Sequence, residues 1–349
     1  MRFLPTSEPT LSVTTLVDAP PSVPAGRRRR RAGVLAAGLL LLVTVALLSI
    51  AVGARPLSPA EVWQGLVSAA SPEHAVVHRM RLPRTLLGLL AGAALGTAGA
   101  LMQALTRNPL ADPGLLGINA GASAAVATAV GLLGVATVGG WIWFALLGAA
   151  VVTALGYAVG GGRRATPERL ALAGAALNAV LYSYVSAMML LDSASLDRLR
   201  FWTVGSLANA DFGTVRTVAP FMLAGLLAGL AGARALNALA LGDDAARALG
   251  ARPALVRAGA ITAVTLLCGA ATAACGPIVF VGLLVPHLVR PLTGPDLRWL
   301  LPACALYAPV LLLGADVLGR VLGRPGELQV GLVTAILGGP LFLRLVARR

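Results

Sequence analysis

Three histidines, three cysteines and fourteen acidic side chains are the groups with which this 349-residue chain could do chemistry. Cys268, Cys275 and Cys304 lie in apolar runs without metal-ligand spacing and read as small buried hydrophobes. His287 follows Pro286 in an apolar stretch. It has no second His, Cys or carboxylate at ligand spacing, so a structural hydrogen bond is preferred over proton relay or metal binding. His74 and His78 belong to a separate segment between apolar runs. No Ser/His/Asp set, paired catalytic carboxylates or zinc motif stands out. The expectation is a non-catalytic chain with no metal and no cofactor. All 28 basic residues are arginines. Without lysine there is neither a phosphate-binding loop of the usual form nor Schiff-base chemistry. Energised work must then draw on a partner or on an ion gradient.

The elements that position these groups follow from composition. The chain is 57% hydrophobic and 12% charged, with mean hydropathy +0.83. A soluble domain carries roughly 25% charged residues, so bilayer lipid is the expected solvent. The net charge of +14 comes from arginines set mostly between apolar segments. There they act as topology anchors, and nucleic-acid binding is not expected.

Residues 1–26 are rich in Pro, Ser and Thr and lack apolar periodicity. Arg27 to Arg31 then precede the apolar run 33–53, which is too long for the h-region of a signal peptide. This divides the chain into a disordered basic cytoplasmic tail, 1–32, and a transmembrane domain, 33–349. Further spans are expected at about 85–105, 114–136, 141–161, 168–191, 217–236, 257–275, 277–290, 299–319 and 328–346. The fold class is therefore all-α, a polytopic membrane protein of about ten helices. The run 277–290 is short and broken by Pro277 and Pro286, which suits a segment buried by other helices.

With the N-terminus inside, 19 arginines fall on the inner side and nine on the outer. That asymmetry predicts an inner-membrane protein with both termini in the cytoplasm. The outer arginines cluster: Arg79, Arg81 and Arg84; Arg198 and Arg200; Arg320 and Arg324. They serve either as a docking surface or as contacts to lipid headgroups.

In the second span Gly88, Gly92 and Gly96 recur every fourth residue, one helical face on which a neighbouring backbone can pack closely. That span ends at Gln103 and is followed by Asn108-Pro109 and Asp112-Pro113-Gly114, a rigid elbow. Gln103, Asn108, Pro109 and Asn178 are the candidate pathway or gate residues; Gln103 and Asn178 either line a path or bond between helices. The stretch 234–257 is a mixed-charge loop holding Leu241-Gly242-Asp243-Asp244-Ala245-Ala246-Arg247-Ala248-Leu249-Gly250. It reads as a short helix, with acids at its N-terminus and a glycine stop. The functional reading is a peg for a partner's groove; the plain one is a connecting loop.

Several motifs occur in one fixed order: Arg81-Leu-Pro-Arg84, Gly92 through Gln103, Asn108-Pro-Leu-Ala, Gly114-Leu-Leu-Gly117, Gly205-Ser206-Leu207, Gly276-Pro-Ile, Pro286-His287 and Asp316 to Arg320. Together they resemble the FecCD-type permease family, membrane subunits of ABC importers for iron-siderophores, haem and cobalamin. The resemblance covers roughly 33–347 and implies the type II importer architecture, paired across a two-fold axis with a second copy or a paralogue. It implies ABC ATPase subunits docked on Leu241, Gly242, Asp243, Asp244, Ala246, Arg247, Leu249 and Gly250. It also implies a substrate-binding lipoprotein or periplasmic protein whose glutamates meet Arg81, Arg84 and Arg320. The expected cargo is a ferric siderophore, with haem or cobalamin as alternatives. The chain departs from the family at Gln329, where proline is usual after Glu-Leu, and at Leu297, where histidine is usual between Asp and Arg. An ion-coupled secondary transporter and a polytopic membrane enzyme are the rival classes. The near absence of ionisable residues inside the spans disfavours the first, and the lack of a convergent polar constellation disfavours the second.

Overall fold

The structure is a computed structural model that describes residues 25–53, 56–135, 137–162, 166–191 and 202–347. Regular structure among them is entirely helical. Helix α1 is Ala25–Ala51, α2 Pro59–Val67 and α3 His74–Thr106, the last with a π-helical stretch over Val77–Arg81. A 3-10 turn, Pro113–Leu116, leads into α4, Ile118–Gly131. Then follow α5 Val138–Val159, α6 Pro167–Leu191, α7 Phe212–Ala240 and the short α8 Asp243–Ala248. The chain closes with α9 Pro253–Cys275, α10 Val281–Thr293, α11 Leu297–Leu322 and α12 Val330–Ala347. Seven helices are long and apolar enough to cross a bilayer (α1, α3, α5, α6, α7, α9 and α11), and α4, α10 and α12 are shorter apolar helices. All ten expected spans have a counterpart.

Two of them differ in extent. The span expected at 114–136 narrows to fourteen residues because Gly117, at φ 79°, separates the 3-10 turn from α4. The span expected at 277–290 shifts to Val281–Thr293. Gly276 at φ 73° and Phe280 at φ 69° take left-handed conformations there, and Pro277 has no amide to donate, so 276–280 is non-helical. The tail boundary also moves. Residues 1–24 and Arg198 and Arg200 lie outside the described residues, but α1 already begins at Ala25. Arg27 to Arg31 thus ride on its first turns, consistent with the good helix propensity of arginine.

Helix α3 is the axis of the bundle, packed against α11, α9, α7 and α10. Its glycine face does what the four-residue spacing suggests. A Cβ on Gly88, Gly92 or Gly96 would overlap Leu313, Pro309 or Ala308 of α11. A second close approach lies further along the same glycine stripe, where a Cβ on Gly99 would run into the backbone of Gly282 in α10. Pro286, four residues on, has no amide to bond the Gly282 carbonyl, so that carbonyl is free to pack against α3. This crossing makes a definite prediction. Gly99→Ala should cost at least the ~1–3 kcal/mol typical of core overpacking, read as a lower melting temperature in detergent. Gly232→Ala, whose Cβ would meet nothing nearer than Leu236 at 4.0 Å, should melt like the wild type. Equal melting of the two variants would show that the α3–α10 crossing yields.

Candidate functional site

Three regions gather the polar residues of the bundle. At one end of α3, Arg84 grips Asp316 of α11, with Nη2 2.8 Å from Oδ1 and Nε 3.0 Å from Oδ2, while Nη1 lies 2.7 Å from Glu327 Oε2. Arg320 reaches the same carboxylate, Nη2 to Oδ2 at 2.9 Å. It also donates to Ser49 O at 2.9 Å and Val52 O at 2.7 Å, and Arg81 donates to Ile50 O and to Ala51 O at 2.8 Å. These are the last carbonyls of α1, which have no partner within their own helix. Positive groups at a helix C-terminus are doubly favoured, by hydrogen bonding and by the dipole.

Arg81, Arg84 and Arg320, expected to face a binding protein, are 6%, 8% and 2% exposed and bond within the chain. A guanidinium at this depth must be paired, and Asp316, itself 0% exposed, is the shared partner. Asp316 was the residue to single out; its i,i+4 spacing from Arg320 was the available signal.

The second region surrounds α8. Gly242 enters it at φ 112° and Gly250 leaves it at φ 81°, both conformations that favour glycine. Asp243 is tied to Arg257 of α9 at 2.7 Å and to Arg107 at 3.4 Å. Arg107, at the left-handed end of α3, also donates to Leu239 O at 2.7 Å. Asp244 and Arg247 pair along the exposed side at 2.6 Å, and Ala246 is buried under the helix. Leu241 and Leu249 stay 70% and 66% exposed. The expected short helix is present, tied to α9 and to the end of α3, with two leucines turned outward.

The expected gate residues divide. Gln103 is buried, accepting from Arg290 Nη2 at 2.9 Å and donating to Leu283 O at 3.2 Å, so it joins α3 to α10. Asn108 is exposed and caps its own turn through Leu110 N at 2.9 Å, with Pro109 half-buried beside it. Asn178 ties α6 to the 3-10 turn through Gly114 O at 3.0 Å. Gln103 and Asn178 join separate elements, Asn108 caps a local turn, and none of the four lines the groove that forms the third region. No group of three or more His, Cys, Asp or Glu side chains positioned to hold a metal occurs among the described residues.

That groove, of about 470 Å³, is bordered by Ser123 of α4, Tyr182 and Ser186 of α6, Thr203, Pro277 and the start of α12 at Gly331. Its floor is knitted by backbone bonds, Ser206 N to Cys275 O at 2.7 Å and Gly331 N to Gly205 O at 3.0 Å. Tyr182 and Ser186 are one turn apart on α6, so their side chains share a face, and Ser183 beside them is also exposed. Hydroxyls in that position suit water or another protein surface better than hydrocarbon. Sequence reasoning passed over this pair.

The arginine network generates a prediction of its own. Asp316→Ala leaves two buried guanidiniums short of their counter-ion, a loss of about 3–5 kcal/mol by analogy with other buried pairs. The variant should be recovered at low yield, or melt well below the wild type. Glu327→Gln touches only the half-exposed partner and should cost less than about 1 kcal/mol. A wild-type melting temperature for Asp316→Ala would show that the network carries no stability.

Comparison with known proteins fits this geometry. A model of the FecCD transport family matches residues 40–348. The ferric enterobactin transport system permease protein FepD of Escherichia coli (strain K12) is 47% identical over 315 residues, covering 89% of this chain and 94% of that protein. The hemin transport system permease protein HmuU of Yersinia pestis is 39% identical, over 89% of this chain and 94% of that one. A solved structure described as a metal-chelate type ABC transporter in an inward-facing conformation superimposes with TM-score 0.80 at 28% identity, covering 91% of this chain and 100% of that one. With a family model spanning most of its length and relatives this close, this multi-pass membrane protein belongs to the FecCD transport family.

Proposed function

We propose that this chain is the permease subunit of an ATP-driven importer and forms the translocation path for a ferric chelate, in the first place a ferric siderophore. Haem and cobalamin are the alternative cargoes. The observation that carries the reading is the exposed face of α6 bearing Tyr182, Ser183 and Ser186, which borders the groove. A second copy, or a paralogue, apposed on that face encloses a path between the two grooves. Its walls are small and weakly polar, suited to passing a bulky hydrated chelate without holding it. The transport of ferric enterobactin and of hemin by two relatives supports a metal chelate as the class.

The absence of lysine supports an ATPase on a separate chain. That subunit docks on α8, where Leu241 and Leu249 offer apolar anchors on a helix that Asp243 clamps to the bundle. The substrate-binding lipoprotein or periplasmic protein docks at the opposite end. There Arg81, Arg84 and Arg320 brace the rim from within, rather than meeting its glutamates directly. The protein sits in the cell inner membrane with both termini in the cytoplasm.

Two measurements test this. In vesicles containing the chain, its ATPase and its binding protein, ferric-chelate uptake should require ATP and survive collapse of the proton and sodium gradients. Leu249→Glu should abolish uptake and weaken ATPase association by about 30-fold, the effect of losing one interface hot spot of ~2 kcal/mol. Uptake driven by an ion gradient without the ATPase would overturn the proposal.

The second measurement concerns the path. In a background lacking Cys268, Cys275 and Cys304, Ser186→Cys should react with a membrane-impermeant maleimide and be protected in one nucleotide state. Leu40→Cys, on the lipid-exposed flank of α1, should stay unreactive throughout. If both positions are inert in every state, α6 faces lipid and the path lies elsewhere.

A further inference from the structure

The arginine run at the start of α1 has no part in the transport reading. Two of its members, Arg28 and Arg31, border an open groove of about 650 Å³ together with Leu35 and, from α11, Arg298, Trp299 and Pro302. Arg31 is set in place by several contacts at once. Its Nε donates to Thr293 O at 2.8 Å, and its guanidinium lies over the Trp299 ring at 5.6 Å from the centroid. It also passes close to Gly294, where a Cβ would sit 3.2 Å from Nη2. Arg30 anchors the same turn by donating to Pro291 O at 3.3 Å. Arg28 is exposed and makes no hydrogen bond to the described residues.

The negative charge in reach is Asp296, 2.8 Å from Arg298 Nη2. Hydrogen bonds from Arg298 hold its carboxyl below the usual carboxylate range, so it remains ionised. It is also engaged by Asn237 Nδ2 at 2.7 Å and by the amide of Arg298 at 3.0 Å. Among the described residues, three guanidiniums set against one carboxylate leave two positive charges uncompensated at the groove. Guanidiniums bind phosphate oxygens through paired N–H donors. A tryptophan beside them suits headgroup depth in a bilayer.

We propose that this groove between α1 and α11 binds an anionic phospholipid, with the phosphate among Arg28, Arg31 and Arg298 and the acyl chains along α1. The apolar continuation of the site selects lipid over free phosphate. Leu35, Leu39 and Val43 follow one another at four-residue spacing down the same side of α1, and Leu39 and Val43 are 54% and 49% exposed. The inference rests on the chain being a membrane protein and is independent of the cargo and of the ATPase.

Lipid binding to the full chain, purified in neutral detergent, tests it by native mass spectrometry with phosphatidylglycerol, phosphatidylethanolamine and inorganic phosphate as probes. Phosphatidylglycerol should be retained over phosphatidylethanolamine, and inorganic phosphate should not displace it. Arg28→Gln should weaken phosphatidylglycerol binding about fivefold, the effect of one basic charge near a lipid surface, and Arg28→Lys should restore most of it. Because Arg28 bonds to no described residue, Arg28→Gln should melt like the wild type without added lipid, which separates binding from folding. Equal retention of the two lipids, unchanged binding in Arg28→Gln, or displacement by inorganic phosphate would each overturn the proposal. Transport is not the readout, so a failed cargo assignment leaves this result standing.

Discussion

The carboxylate of Asp316 is the contact on which this end of the bundle depends. It neutralises Arg84 on α3 and Arg320 on α11, and the Arg320 guanidinium is set between it and the end of α1. Through Ser49, Ile50, Ala51 and Val52, the carbonyls that α1 cannot satisfy for itself are given donors. Three helices are thereby fixed at a depth where water is scarce and an unpaired charge or carbonyl costs several kcal/mol. Arg320 serves both the ion pair and the helix end, while Arg84 supplies the ion pair alone and Arg81 reaches the helix end.

Much of the fold was legible because hydrophobic run length and glycine spacing are local properties. The ten apolar segments, the Gly88–Gly92–Gly96 face and the short helix between Gly242 and Gly250 could be read along the chain and are present. What could not be read were partners distant in sequence. Arg81, Arg84 and Arg320 looked available because their loops were assigned to the outer surface. Nothing near them in sequence says that α1 ends against them, 271 residues from Arg320 in the case of Ser49. Gln103 invited a gate role for the same reason; its bonds to Leu283 and Arg290 come from a helix 180 residues on. The Tyr182 and Ser186 pair went unremarked because two hydroxyls one turn apart are common, and only exposure gives them meaning.

Rigidity and exposure are unevenly shared. Helices α3, α9 and α11 are the more deeply buried spans, while α1, α5, α6 and α7 lie toward the periphery. The short α8 belongs to the first group mechanically even though it sits at the surface. Asp243 holds it to Arg257 on α9 and to Arg107 at the tip of α3. Leu241 and Leu249 are thus tied through one carboxylate to the two spans with the largest buried share.

The hydroxyls along α6 have a consequence of sign. Ser183 and Ser186 donate their protons to the carbonyls of Ala179 and Tyr182, one turn back on the same helix. What they turn outward is lone pairs. A wall made this way wets well, yet offers few protons to an anionic guest, so a negatively charged chelate would find it slippery rather than adhesive.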